Sequence, residues 1–196
     1  SDAAMEDDRA EGQPVLLNRH AREVEQEARN LCRALGVPQP LQEAVALAAR
    51  LHDLGKKAER WQRAFHAPTD GIYAKTEGPI DHGLLDGYRH EVGSLICAEQ
   101  DPQVQQLDRR WRELVLHLIA AHHGSARPVL SIEACDFAPP SVLQEKGVEA
   151  ALRFARLQRA WGPWGLAWCE ALLRAADQTA SVFSLGEPVR SGCSDA

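Results

Sequence analysis

The chain has 196 residues, 44% of them hydrophobic and 26% charged, which is the composition of an ordinary globular domain with a buried core. The longest apolar stretch, Leu114 to Ala121, contains His117 and is far shorter than the roughly 18 residues of a membrane span, so we expect no transmembrane helix. The formal charge of −6 is concentrated in residues 1–12, which hold five acids and one arginine; the other 23 acids and 21 bases leave a nearly neutral body, which does not exclude a nucleic-acid substrate.

The chain contains five cysteines, an odd number, and no Cys-x-x-Cys pair. They are Cys32, Cys97, Cys135, Cys169 and Cys193. This pattern favours free thiols in a reducing compartment, so we expect a cytoplasmic protein. We interpret the cysteines as small core or surface residues rather than as metal ligands.

Hydrophobic residues recur every three or four positions through most of the chain, which is the period of amphipathic helices. Gly36 ends the first such segment, and Pro40 opens the second. We predict helices over about residues 16–35, 41–55, 61–65, 90–99, 102–123, 142–161 and 164–181. Residues 67–89 contain several glycines without helical period and are predicted to form a long surface loop.

The sequence shows neither strand-like alternation nor an internal repeat. We therefore predict an all-α fold, a compact helical bundle with one core. Residues 1–13 are predicted to be an acidic leader or linker, 14–185 the domain, and 186–196 a flexible tail.

A histidine and an aspartate stand side by side in the stretch His52-Asp53-Leu-Gly-Lys56. His52 continues the apolar stripe of the second helix, so its imidazole is predicted to point into the bundle. A lone buried histidine is usually a hydrogen-bonded core residue. The adjacent aspartate favours a second interpretation, in which the pair belongs to a metal site or a catalytic site.

The same pattern repeats on other helices. His20 lies on the apolar stripe of the first helix, His122 extends that of a later one and is followed by His123, and Asp177 follows apolar residues of the last helix. Burying an ionised carboxylate costs several kcal/mol unless it is paired or binds metal. Facing helices of a bundle commonly supply metal ligands in this way. With His90, which opens another helix, the set holds five imidazoles and two carboxylates, which is too many for one tetrahedral ion and suits two.

These residues resemble the HD superfamily of metal-dependent phosphohydrolases in identity and order. More narrowly, His122-His123-Gly124, His90-Glu91-x-Gly93-Ser94 and Ala176-Asp177-x-x-Ala180-Ser181 resemble the HD nuclease domain of the CRISPR-associated helicase-nuclease of type I systems. The resemblance runs from about residue 16 to residue 181. It implies an HD-type helical bundle with a dinuclear metal site in its core.

The resemblance also implies a ligand set. His20, His52, Asp53 and Asp177 would hold one divalent ion, and His90, His122 and His123 the second, with the Asp53 carboxylate bridging both. Lys56 would lie beside the site and favour phosphate. The alternative for Lys56 is that, next to Lys57, it only complements a helix dipole.

A function in CRISPR type I interference follows from the resemblance. Two ions, with Mn, Ni, Co or Fe preferred by an imidazole-rich site, would activate a water that hydrolyses phosphodiester bonds of single-stranded DNA. The expected partners are a helicase domain and an RNA-guided CRISPR effector complex. The sequence has no Gly-x-x-x-x-Gly-Lys-Ser/Thr phosphate loop and begins with Ser1, so the helicase would be a separate chain or this is an excised domain, which we favour.

Two other functions stay open. One is an HD phosphohydrolase that acts on nucleotides or cyclic dinucleotides, although the segment after His123 lacks the Gly-Tyr-Pro of HD-GYP phosphodiesterases. The other is a binding module in which metal only stabilises the bundle, but structural metal sites are usually closed and single.

Several conspicuous residues receive structural interpretations. We predict that His66, His82 and His117 are structural or solvent-facing, and that the tryptophans, including Trp161, Trp164 and Trp168, belong mainly to the core. Arg153, Arg156 and Arg159 recur every three residues and are predicted to form a solvated face, with a groove for a nucleic-acid backbone as the alternative.

Overall fold

The computed structural model describes residues 13–130, 132 and 135–184, and this part of the chain is mostly helical. In chain order its elements are β1 (Val15–Leu16), α1 (Leu17–Ala34), α2 (Gln39–Leu51), a 3-10 helix (Leu54–Lys57), α3 (Glu59–Ala64), β2 (Tyr73–Lys75), α4 (His82–Leu85), α5 (His90–Glu99), α6 (Pro102–Gln106), α7 (Arg109–Ala121) and α8 (Pro140–Ser184). The predicted all-α fold is confirmed. Residues 1–12 of the predicted leader and the predicted tail at 186–196 lie outside the described residues.

The core is formed where α1, α2, α7 and α8 pack on one another, with α5 packed on α7 and on the 3-10 helix. Each helix contributes an apolar stripe, and Val24, Val45, Leu118 and Leu173 are completely or almost completely buried. Burial of such a side chain stabilises the fold by about 1.5–3 kcal/mol. No helix among the described residues has both the length and the apolar character needed to cross a membrane.

The segment predicted as one helix over 102–123 forms two helices, α6 and α7. Leu107 is extended, and the Asp108 carboxylate accepts a hydrogen bond from the Trp111 amide at 3.1 Å, which caps α7. Arg112 also donates to the carbonyl oxygens of Val104 and Leu107, on either side of the end of α6. The single-helix prediction was wrong because the apolar stripe continues across this cap.

The predicted surface loop at 67–89 is wrong for residues 82–85, which form α4, and for residues 73–76. There β2 pairs antiparallel with β1, and Tyr73, Ala74, Lys75 and Thr76 are all buried. The Gln62 side chain bonds both the amide and the carbonyl of Tyr73, at 3.0 and 2.8 Å. Strands of two and three residues are too short to show alternation in the sequence, so this pairing of distant segments left no readable pattern.

α8 is interrupted at Gly162, whose φ of 69° and ψ of 162° are not helical. The interruption lies where the sequence predicted two helices to separate. Trp164 and Trp168, just beyond it, are 86% and 43% exposed, so the prediction that they belong to the core was wrong. Arg153 is only 2% exposed and lies 3.3 Å from Glu149, which contradicts its prediction as part of a solvated face. In both cases the face that α8 turns to the core could not be fixed from its own period.

Candidate metal centre

The Asp53 carboxylate lies at the centre of a cluster of imidazoles, and its two oxygens face different rings. Oδ2 is 3.5 Å from His20 Nε2 and 3.4 Å from His52 Nε2. Oδ1 is 3.2 Å from His90 Nε2 and 3.7 Å from His122 Nε2. One buried carboxylate is therefore shared by two groups of nitrogen atoms.

The first group is completed by Asp177, on α8. Its Oδ1 lies 3.1 Å from His20 Nε2 and 3.8 Å from His52 Nε2. The ligand atoms of His20, His52 and Asp177 all lie within 4.8 Å of one another. Three helices thus bring two imidazoles and one carboxylate to a single point.

The second group consists of His90, His122 and His123. His90 Nε2 is 3.2 Å from the Nε2 atoms of both His122 and His123. The ligand atoms of these three residues also lie within 4.8 Å of one another. His90 is the first residue of α5, whereas the adjacent pair stands where α7 ends. The structure therefore brings together all seven residues that the sequence proposed as ligands; that they hold metal stays a prediction.

Buried polar atoms test whether the cluster fits a metal. Among the described residues, His20 Nε2, His52 Nε2 and Asp177 Oδ1 are buried; the carboxylate oxygen lies 3.1 and 3.8 Å from the two nitrogens, but no contact of these atoms has hydrogen-bond geometry. Such unsatisfied atoms are rare in folded proteins because each costs about 1–3 kcal/mol. Several such atoms at one point could be satisfied together by a bound cation.

In two of the rings, a hydrogen bond from the other nitrogen, Nδ1, to a backbone carbonyl fixes the orientation. His52 Nδ1 is 2.7 Å from the Ala49 carbonyl, and His122 Nδ1 is 2.6 Å from the Ile119 carbonyl. A carbonyl oxygen only accepts, so Nδ1 carries the proton in both rings and Nε2 keeps its lone pair. This nitrogen lies 3.4 Å from Asp53 in His52 and 3.7 Å in His122, and a lone pair on it is what a metal ligand requires.

Burial also keeps these rings neutral. It lowers the pKa of His122 to about 4, helped by the neighbouring His52 and His90, and it lowers the pKa values of His52 and His123. For Asp53, burial acts to raise the pKa, but the contacts with His52, Lys56 and His90 outweigh burial and hold the pKa well below its usual range. The cluster thus favours neutral imidazoles around an ionised carboxylate, the protonation states in which these side chains bind metal.

A glycine allows the His-Asp stretch to approach α5. A Cβ atom at Gly55 would lie 2.0 Å from the His90 carbonyl oxygen and 2.7 Å from the Ser94 amide nitrogen. The Gly55 amide donates to Ser94 Oγ at 2.8 Å, and the Tyr88 hydroxyl donates to the Gly55 carbonyl at 2.7 Å. These contacts place Asp53 against His90. The role of Tyr88 was not predicted from the sequence, whereas Ser94 belongs to the His90-Glu91-x-Gly93-Ser94 stretch that carries the family resemblance.

Lys56 is buried at the edge of the cluster, with 2% of its surface exposed. Its Nζ lies 2.8 Å from Asp53 Oδ2 and donates to the Ala74 carbonyl of β2 at 3.1 Å. The ammonium group also lies 5.5 Å from the centre of the Trp61 ring. This placement disfavours the alternative that Lys56 serves only a helix dipole, since the group points into the cluster.

Glu91 belongs to the same His90-Glu91-x-Gly93-Ser94 stretch, but the sequence predicted no role for it. It is 2% exposed, one of its oxygens lies 3.9 Å from His90 Nδ1, and the other accepts from Arg89 at 2.7 Å. Burial acts to raise its pKa, but His90, His122 and Arg89 hold the pKa at about 2. An ionised Glu91 therefore faces the outer nitrogen of a candidate ligand, as carboxylates behind metal-bound histidines do.

The histidines set aside in the sequence lie away from the cluster. His66 and His82 are exposed. His117 is buried and pairs with Glu170 at 2.6 Å, a structural position as predicted.

Comparison with known proteins agrees with this geometry. Residues 7–187 match the family model described as the HD domain of Cas3, and this match covers most of the chain. Searches of curated proteins and of solved structures gave no match. The resemblance drawn from the sequence is confirmed, and the chain belongs to the Cas3 HD-domain family of metal-dependent HD-type nucleases of type I CRISPR systems.

Proposed function

We propose that this domain hydrolyses phosphodiester bonds of single-stranded DNA at a centre of two divalent transition-metal ions. The observation that carries the proposal is the position of Asp53, whose two oxygens face different imidazoles, Oδ2 that of His52 and Oδ1 that of His90. A carboxylate in that position is suited to bridge two cations.

The proposed ligands follow the two groups. His20, His52 and Asp177 would hold the first ion, His90, His122 and His123 the second, and Asp53 both. Five imidazole nitrogens favour Mn, Fe, Co or Ni over Mg, which prefers oxygen ligands. Such a pair of ions, when bound, activates a water and stabilises charge on the oxygens of a phosphodiester.

The chain's own residues hold this centre in place and neutralise charge around it. Asp53 is fixed by Lys56, and Lys56 is fixed by the Ala74 carbonyl, so the carboxylate cannot rotate freely. Lys56 also supplies a buried positive charge beside the carboxylate. In a site with little water, such a charge stabilises negative charge that develops on a phosphoryl group.

The substrate class rests on charge. Outside residues 1–12 the chain is nearly neutral, which gives it little means to hold a duplex strongly or to read base edges. Single strands cut without sequence preference suit such a surface. A helicase domain in the same or a separate chain, acting in the cytoplasm with an RNA-guided effector complex, would supply such strands.

A substrate panel tests the proposal. Metal-loaded protein is incubated with circular single-stranded DNA, blunt duplex, nucleotides and cyclic dinucleotides, each with and without EDTA. Metal-dependent cutting of the circular single strand alone is expected. Turnover of nucleotides or cyclic dinucleotides without DNA cutting would assign the domain to the other HD phosphohydrolases, and no turnover with metal bound would favour a binding module.

A further inference from the structure

Residues 124–130, which we call the strap, follow the two histidines at the end of α7 and are tied to the rest of the domain by two arginines. Arg127 Nη2, within the strap, lies 2.5 Å from Glu170 Oε2 on α8. Arg89, next to His90, donates to Ser125 Oγ at 2.9 Å. The strap is therefore held from two sides.

Glu170 is a fixed anchor for this contact. It is 6% exposed, and its other oxygen lies 2.6 Å from Nε2 of His117, which is 1% exposed. The Glu170 carboxylate thus meets partners on two different elements, a hydrogen-bonded imidazole at Oε1 and, at Oε2, an ion pair without hydrogen-bond geometry. Arg127, by contrast, is 44% exposed, so its side chain can be changed without opening the core.

His123 is the candidate ligand whose position depends most on the strap. His52 and His122 are oriented through Nδ1 by carbonyl oxygens of their own helices. Among the described residues, no hydrogen bond reaches His123 Nδ1, and the polar and aromatic partners of the ring are other candidate ligands: His90 at 3.2 Å and the His122 ring at a centroid distance of 4.1 Å. His123 lies beyond the last residue of α7, and Gly124 with a φ of 83° follows it. The Gly124 amide donates to the Ala121 carbonyl at 2.7 Å, so the place of His123 is set by the end of α7 and by the backbone that leads into the strap.

We propose that the Arg127–Glu170 ion pair positions His123 for the second metal ion. Arg127 is then a positioning residue, which acts through the strap backbone and touches neither metal nor substrate. The inference rests on the proposed function, in which His123 binds the second ion.

The test compares two matched variants, Arg127→Gln and Arg156→Gln. Arg156 on α8 pairs with Glu113 on α7 at 2.8 Å and is 39% exposed, so it is a half-exposed arginine of the same kind that ties α7 to α8 outside the strap. Binding of Mn²⁺ to the metal-free proteins is measured by calorimetry, and hydrogen exchange of the strap amides is measured on the same preparations.

Arg127→Gln should weaken the second Mn²⁺ about tenfold, the lower end of the range for residues that orient metal ligands, and leave the first unchanged. Exchange of the strap amides should become faster in the metal-free protein. Arg127→Lys, which keeps the charge, should recover most of the affinity, and Arg156→Gln should behave as the wild type.

Unchanged strap exchange in Arg127→Gln, or faster exchange with unchanged Mn²⁺ affinity, would overturn the inference. A wild-type protein that saturates with one ion would instead contradict the two-ion proposal. In that case the affinity of the single ion decides the inference. A lower affinity in Arg127→Gln but not in Arg156→Gln would support it, and any other result would overturn it.

Discussion

Lys56 Nζ lies 2.8 Å from Asp53 Oδ2, and both side chains are almost completely buried. The carboxylate on which the proposed centre depends is thus in direct contact with a buried cation. Because protonated lysine cannot bind metal, the two roles can be separated by mutation.

Lys56→Met should leave metal content unchanged and lower the rate of single-strand cleavage by roughly 10²- to 10³-fold, the usual scale for one preorganised electrostatic donor. Methionine keeps an unbranched apolar side chain of similar length without the charge. Metal analysis and cleavage rates on the same preparation check this. Lys57→Met is the matched control, because Lys57 is exposed and should tolerate the change. A normal rate with normal metal content in Lys56→Met would remove Lys56 from the mechanism.

Asp53→Ala should weaken both metal ions, whereas His20→Ala should weaken mainly the first and His122→Ala mainly the second. The physical reason is that the two Asp53 oxygens face different groups of rings. Calorimetric titration of the three variants with Mn²⁺ gives the pattern directly. Loss of only one ion in Asp53→Ala would show that this carboxylate does not bridge.

Gly55→Ala should destabilise the fold by about 1–3 kcal/mol, the usual cost of overpacking, because its methyl group would meet backbone atoms of His90 and Ser94 that cannot move aside easily. Urea unfolding measures the change. Gly147→Ala is the control: it lies in α8, and the nearest atom to its Cβ is Ile132 Cγ2 at 3.4 Å. There alanine should be neutral or stabilise by up to about 1 kcal/mol. Equal effects of the two substitutions would contradict the close approach at Gly55.

The free energy of unfolding of the metal-free protein should fall as the pH is lowered from about 6.5 to about 4. Burial lowers the pKa of His122 to about 4 and also lowers the pKa of His52. In this window the unfolded chain therefore binds protons that the folded chain does not, which favours unfolding. Urea titrations at several pH values test this, with His122→Ala expected to show a shallower dependence. Stability that stays constant over this range would contradict the buried, neutral rings.

The sequence was sufficient to predict most of the helices and the residues that converge on Asp53. His20 and His122 lie on apolar stripes, and the stripe of a helix fixes which side chains face the core. The order of ligands along the chain also carried the family resemblance, and this resemblance grouped them into two sets. Asp177 could be included because an acid on an apolar face needs a partner or a metal.

Features that depend on contacts between distant segments could not be predicted in this way. The buried β2 strand, which holds Lys56 through Ala74, has no local pattern. Glu170 pairs with His117 and Arg127, and none of these three residues indicates its partners from sequence spacing. The exposed Trp164 could not be predicted for a different reason. The period of a helix does not say which residues beyond a break face the solvent.

We propose that the ligands around Asp53 hold two ions that act together on single-stranded DNA. The most direct test is a titration of metal-stripped protein with Mn²⁺, with cleavage of a circular single strand followed at each addition under conditions of tight binding. We expect little cleavage up to one equivalent per chain and a rise to full activity as the second equivalent binds. Full activity at one equivalent, with no further gain at two, would contradict it.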